Sequence, residues 1–172
     1  MGVNARNLSV LVISLLLTGW WLVGNAHDWE VVFPVPAHKE WKEECGACHL
    51  AFPAGMLPAR SWKKMMDELA DHFGEDASLD DQVVVASITR YLVENAADSP
   101  NATPRMRRIA ASISPAETPQ RITETPFFKY QHDEVPASIW KRKTVGSPAN
   151  CGACHTKAET GSYVEREIRI PK

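Results

Sequence analysis

The pentapeptide Cys-Gly-Ala-Cys-His occurs twice, from Cys45 to His49 and from Cys151 to His155, and the two copies use every cysteine in the chain. Two cysteines three positions apart lie on one side of a helical turn. A histidine directly after them completes Cys-x-x-Cys-His, the attachment sequence for c-type haem. The spacing has a physical reason. The two thiols can form thioethers with the two vinyl groups along one edge of the porphyrin, and the histidine then turns its imidazole to the iron.

Three other uses of the cysteines explain less. Disulfides suit an exported chain, but they leave the histidine after each pair without a reason. A single zinc would need the pairs about 15–20 residues apart, and here about a hundred residues separate them. A redox dithiol belongs in a thioredoxin-like setting, which this sequence does not resemble. The doubled motif therefore predicts two covalently bound c-type haems, held by Cys45 and Cys48 and by Cys151 and Cys154. His49 and His155 are the proximal iron ligands.

A chain of 172 residues suits one domain or two small lobes. A core of that size is modest, and a covalent cofactor supplies what it lacks. The formal net charge of -2 speaks against bulk nucleic-acid binding. The charge is unevenly spread. Acidic residues cluster from Asp67 to Asp81, and Lys129, Lys141, Arg142 and Lys143 make the later part basic. That pattern suits either two solvated faces or a dipole that orients the molecule on its partners.

Residues 1–26 read as a targeting segment. Arg6 precedes the apolar run Leu8 to Val23, and Gly24 and Ala26 place small residues where a signal peptidase cuts. The run is short for a membrane span, which needs about 20 apolar residues. Trp20 and Trp21 nonetheless suit a membrane interface. Two outcomes follow: cleavage after Ala26, or retention as an N-terminal anchor. Both export the remaining chain, in a bacterium to the periplasm.

Beyond the leader the pattern is mainly α, in two small helical lobes, each built around one covalently attached c-type haem. The N-terminal lobe spans 27–98, a proline-rich connection 99–126, and the C-terminal lobe 127–172. A helix is expected to run into the first motif through HKEWKEECGACH. Another is expected over SWKKMMDELADHFG, capped by Ser61 and ended by Gly74, with Trp62, Met65, Met66, Leu69 and Phe73 on one face. Ser78 to Asp81 reads as a capping box opening a third helix. Thr103 and Pro104 read as the start of a short helix inside the connection. Pro136 suits a further first turn, and the tail YVEREIRIP alternates as extended chain would.

Each iron needs a sixth ligand or stays open. His72 closes an apolar stripe that would pack on a haem face. His132 precedes the second motif by about the distance at which His72 follows the first, so one distal histidine falls in each lobe. His38 ranks below them, and His27 is expected to be free. Met65 and Met66 read as core, and Met56 as loop packing.

Beyond these motifs, blocks such as ECGACHLAFPAGMLPARSW, DHFGEDASLDD, YLVENAAD and HDEVPASIWKRKTVGSPANCGACHTKAETGSY followed by IRIP resemble the small diheme cytochromes c (DHC). The resemblance runs from about Trp41 to the end. It implies a periplasmic electron carrier with two bis-histidine haems, with distal ligands in the DHFG and His-x-Glu-Val-Pro blocks, at His72 and His132. It also implies two partners. One is an oxygen-binding monohaem cytochrome of the sphaeroides haem protein type, as acceptor. The other is a membrane b-type cytochrome, as donor. Two alternatives stay open: a diheme peroxidase-like enzyme with one open haem, and a diheme electron-transfer subunit of a periplasmic reductase.

Overall fold

The computed structural model describes residues 32–172. The leader and His27 lie outside them. Among the described residues there are six α-helices: α1 (Lys39–Gly46), α2 (Ala59–Asp67), α3 (Gln82–Glu94), α4 (Pro104–Ser112), α5 (Pro126–Gln131) and α6 (Ala137–Trp140). Short 3-10 turns link them, and extended pairing is limited to isolated bridges. None of these helices is long and apolar enough to cross a membrane.

The helix ends show which local signals prevailed. His38 caps α1 by accepting from the Trp41 N–H at 3.1 Å, and its Nε2 lies 3.2 Å from Ser87 Oγ. With Nδ1 accepting, the proton sits on Nε2, so both ring nitrogens have structural partners. Helix α2 starts at Ala59, before the expected cap Ser61, because Pro58 fixes the entry and the Asp98 carboxylate accepts the Ala59 N–H at 2.8 Å. Ser61 is instead fully buried. The same helix ends at Asp67, and a 3-10 turn, Leu69–Asp71, follows where the pattern read as continuous helix. Helix α3 is capped by Asp81, which accepts from Val83 and Val84, rather than by Ser78. Helix α4 begins as expected, with Thr103 capping and Pro104 in the first turn. Ala137 opens α6 with Pro136 at its cap, and the tail forms a 3-10 turn, Glu165–Glu167, in place of a continuous extended run.

Two apolar clusters organise the chain. Trp41, Leu57, Trp62, Met66, Ile88, Tyr91 and Leu92 form the first, with Cys45 packed on its margin. Phe33, Met56, Ala97, Met106, Ile109 and Ile113 form the second, with Phe127 and Tyr163 against it. The proline-rich stretch is therefore more than a spacer, since α4 buries Met106 and Ile109 in that core. Residues 127–172 reach these clusters only through their margins. At the seam between chain ends, the Phe33 N–H donates to Gly161 O at 2.8 Å, and Val32 bridges Ser162. Gly161 has φ +78°, and a Cβ there would lie 2.2 Å from Phe33 O, so only glycine fits.

Candidate haem-binding centres

The two pentapeptides are held differently. Cys45 lies in the last turn of α1, and burial followed by the neighbouring Glu44 pushes its thiol up to about 11. Cys48 is exposed. The second motif sits on a 3-10 turn, Cys151–Ala153, where burial pushes the Cys151 thiol up to about 11 and also raises that of Cys154. No disulfide links the four. Raised thiols are poor redox nucleophiles, which need a lowered pKa. Among the described residues no three His, Cys, Asp or Glu side chains converge to cage a metal ion.

Folding brings the two motifs together. Cys48 and His49 from the first, with Asn150, Gly152 and His155 at the second, line one cavity of about 390 Å³. A second cavity of about 320 Å³ is walled by Phe128, His132 and Trp140, with Lys129 at its margin.

The four sequence-predicted iron ligands fall into two pairs. The rings of His49 and His72 have centroids 6.0 Å apart, with planes 18° from parallel. Those of His132 and His155 are 6.1 Å apart, with planes at 81°. Six ångströms exceeds the separation of two rings in direct face-to-face contact. It matches two imidazoles on opposite sides of one metal ion, since a bond of about 2 Å and about 1 Å from nitrogen to ring centre, doubled, give about 6 Å. The donor set fits an iron whose other four ligands come from a porphyrin.

Hydrogen bonds orient two of these rings. His49 Nδ1 donates to Leu50 O at 2.7 Å, and His132 Nδ1 donates to Phe128 O at 2.9 Å. Each leaves Nε2 with a free lone pair. Phe128 also stacks on His132 at 4.1 Å, with Trp140 5.9 Å away. His155 is held neutral, its pKa pushed down to about 4 by burial and then by His132. Burial, the His49 ring and the Arg121 guanidinium also lower that of His72. His155 Nδ1 and Tyr163 Oη are buried without a protein partner, and their rings lie 4.9 Å apart. A c-type haem carries carboxylates, the kind of acceptor this pair lacks.

His72 sits in a tight turn. Its N–H donates to Glu75 O at 2.8 Å, and the Glu75 N–H returns to His72 O at 3.3 Å. Phe73 and Gly74 between them have φ +60° and +98°. Such turns favour Asn-Gly, and a bulky residue in the left-handed region costs about 1–2 kcal/mol. The Phe73 ring is also half-exposed, so it is not the core residue its spacing suggested.

The family model of dihaem cytochrome c matches residues 41–163. The chain belongs to the dihaem cytochrome c family. This dihaem cytochrome c is similar in structure to the diheme cytochrome c from Rhodobacter sphaeroides, with TM-score 0.65 and 45% identity, covering 75% of this chain and 98% of that one. It is also similar to the diheme cytochrome c from Shewanella baltica, with TM-score 0.63 and 38% identity, covering 80% and 95%. The comparison with curated proteins found no relative. Membership brings two c-type haems with iron, and electron transfer as the function.

Four residues at these centres escaped the sequence reading: Phe73, Arg121, Phe128 and Tyr163. Phe128 lies four residues before His132, so helical spacing could have found it. The other three act across the chain or against their local preference.

Proposed function

We propose that this dihaem cytochrome c is a periplasmic carrier that moves single electrons between redox partners through two bis-histidine haems. Cys45 and Cys48 bind the first haem, with His49 and His72 on its iron. Cys151 and Cys154 bind the second, with His155 and His132 on its iron. The observation that carries this reading is the separation of 6.0 and 6.1 Å within each imidazole pair.

The haems supply the one-electron chemistry, and the protein does the rest. His49 and His132 each commit Nδ1 to a backbone carbonyl, which leaves Nε2 as the nitrogen that would bind the iron. The neutral state of His155, kept by burial, leaves its lone pair available across the neutral pH range. Two imidazoles per iron leave no site for an exogenous ligand, so transfer is outer-sphere. Bis-histidine ligation favours a lower potential than histidine–methionine ligation. That residues of both motifs line one cavity supports a relay between neighbouring centres.

The periplasmic location rests on membership in a family of typically exported proteins and on the leader pattern. The proposed acceptor is an oxygen-binding monohaem cytochrome and the proposed donor a membrane b-type cytochrome, both on the strength of the resemblance.

Carbon monoxide tests the ligation. The reduced wild-type protein is expected to bind none. His72→Ala and His132→Ala are each expected to turn one iron high-spin and bind one carbon monoxide per chain. Binding by the wild type would support the peroxidase-like alternative with an open haem. Variants that kept low-spin spectra would refute the distal assignments.

A further inference from the structure

The turn that carries His72 is braced from the proline-rich stretch. Arg121 lays its guanidinium 3.9 Å over the Phe73 ring, and the Phe73 ring lies 4.8 Å from that of His72. Arg121 is held in turn by Glu124 at 3.6 Å. The segment before it is fixed to α2, since Arg60 donates to Glu117 O at 2.7 Å and to Ser114 O at 3.0 Å. Gln120 donates to Glu68 at the end of α2. A phenylalanine in a strained, half-exposed turn position is otherwise unexplained. It gains nothing as core, and Asn would suit the backbone better.

We propose that Phe73 and Arg121 are positioning residues for His72, whose tilted contact, with the Phe73 and His72 planes at 56°, sets the imidazole plane nearly parallel to that of His49 and gives the first iron a ligand field unlike the second. The inference rests on the bis-histidine reading. The consequence follows from orbital symmetry. An imidazole donates π density from the orbital normal to its ring plane. Two parallel rings raise the same iron d orbital and split it from its partner. Two crossed rings raise one orbital each and leave the pair nearly degenerate. The first site, with planes at 18°, should then give an ordinary rhombic low-spin ferric signal. The second, at 81°, should give a broad, highly anisotropic one. The second pair is held in another way, with Phe128 stacked directly on the His132 ring at 4.1 Å. His132 is set by its bond to Phe128 O, and His155 by packing on Tyr163.

Electron paramagnetic resonance of the oxidised holoprotein tests this without any partner. Two low-spin signals of different anisotropy are expected. Phe73→Asn relieves the turn, so it should raise or maintain the melting temperature while moving only the rhombic signal toward greater anisotropy. Arg121→Gln should move the same signal in the same direction, and Arg121→Lys should restore most of it by keeping a cation over the ring. A purely structural role for Phe73 predicts better stability with an unchanged spectrum, and that result would overturn the clamp. So would variants that moved both signals. Two wild-type low-spin signals of equal anisotropy would overturn the ligand-field asymmetry while leaving bis-histidine ligation intact. A high-spin wild-type signal would remove both.

Discussion

The first motif hangs on an apolar core, whereas the second is strapped by polar bonds from the chain's own tail. Around Cys45 the scaffold is Trp41, Trp62, Ile88 and Leu92 on packed helices, and the Trp62 indole N–H donates to Ala54 O at 2.6 Å inside it. Around Cys154 the scaffold is Arg169 N–H to Cys154 O at 2.8 Å, Thr156 Oγ1 to Glu167 O at 3.1 Å, and the Glu167 carboxylate shared between Lys157 and Ser162. Arg142 and Thr144 then hold the carbonyls of Pro171 and Lys172. Such a difference teaches where each centre stores its order. Apolar burial is cooperative and insensitive to pH. A strap of hydrogen bonds is local, and each bond adds only about 1 kcal/mol.

The largest test of this contrast is Trp62→Ala. It removes a buried aromatic and the indole donor to Ala54 O, which keeps only the long bond from the Leu57 N–H, at a cost of about 3–5 kcal/mol. Denaturant unfolding of the holoprotein should show that loss, with α1 to α3 losing hydrogen-exchange protection first. Equal loss at Cys151–His155 would mean that the second centre depends on the same core.

Deleting residues 165–172 should do the reverse. With several strap bonds gone, amides of the second motif should exchange on the order of 100-fold faster. Those of α2 and α3 should be unchanged, as hydrogen-exchange mass spectrometry can read. If the second motif stayed protected, the haem attachment rather than the tail would be holding it.

The smallest effect is in pH. Lys157 and Ser162 hydrogen bonds hold the Glu167 carboxyl below its ordinary value of 4.5. A lowered folded value means the strap's stabilisation is complete above the unfolded pKa and is lost as pH falls through the folded one. Glu167 stays partly open to solvent, with 19% of its side-chain surface exposed, so the change should be slight. Thermal melts from pH 6 down to pH 3 should show a shallower decline for Glu167→Gln than for the wild type. Parallel curves would assign the acid sensitivity elsewhere.

The same contrast decides what the sequence could reveal. The doubled pentapeptide and the two c-type haems it implies were legible because the chemistry is local, five residues repeated. The helical class was legible from spacing. Helix ends were harder. Ser61 looked like a cap, yet Asp98, distant in sequence, supplies the acceptor at the start of α2. Ser78 satisfied a capping pattern, yet its N–H is taken by the Asp76 carboxylate at 2.9 Å, and the helix waits for Asp81. The Phe73–Arg121 clamp was not legible at all, because a cation from the connection reaches a turn that local preference would have given to Asn.

The seam between Phe33 and Gly161 also shapes how the chain matures. Its two strands of backbone are more than a hundred residues apart, so closing it carries a large loop entropy and comes late. A chain emerging from its N-terminal end can bury Phe33 against Met56, Ala97 and Met106 first, and the backbone bond to Gly161 O forms only when the C-terminal segment arrives. Any truncation before Gly161 would strip the Phe33 N–H of its carbonyl partner and the Phe33 ring of its edge contact with Tyr163, while Met106 and Ile109 still covered the rest of the ring.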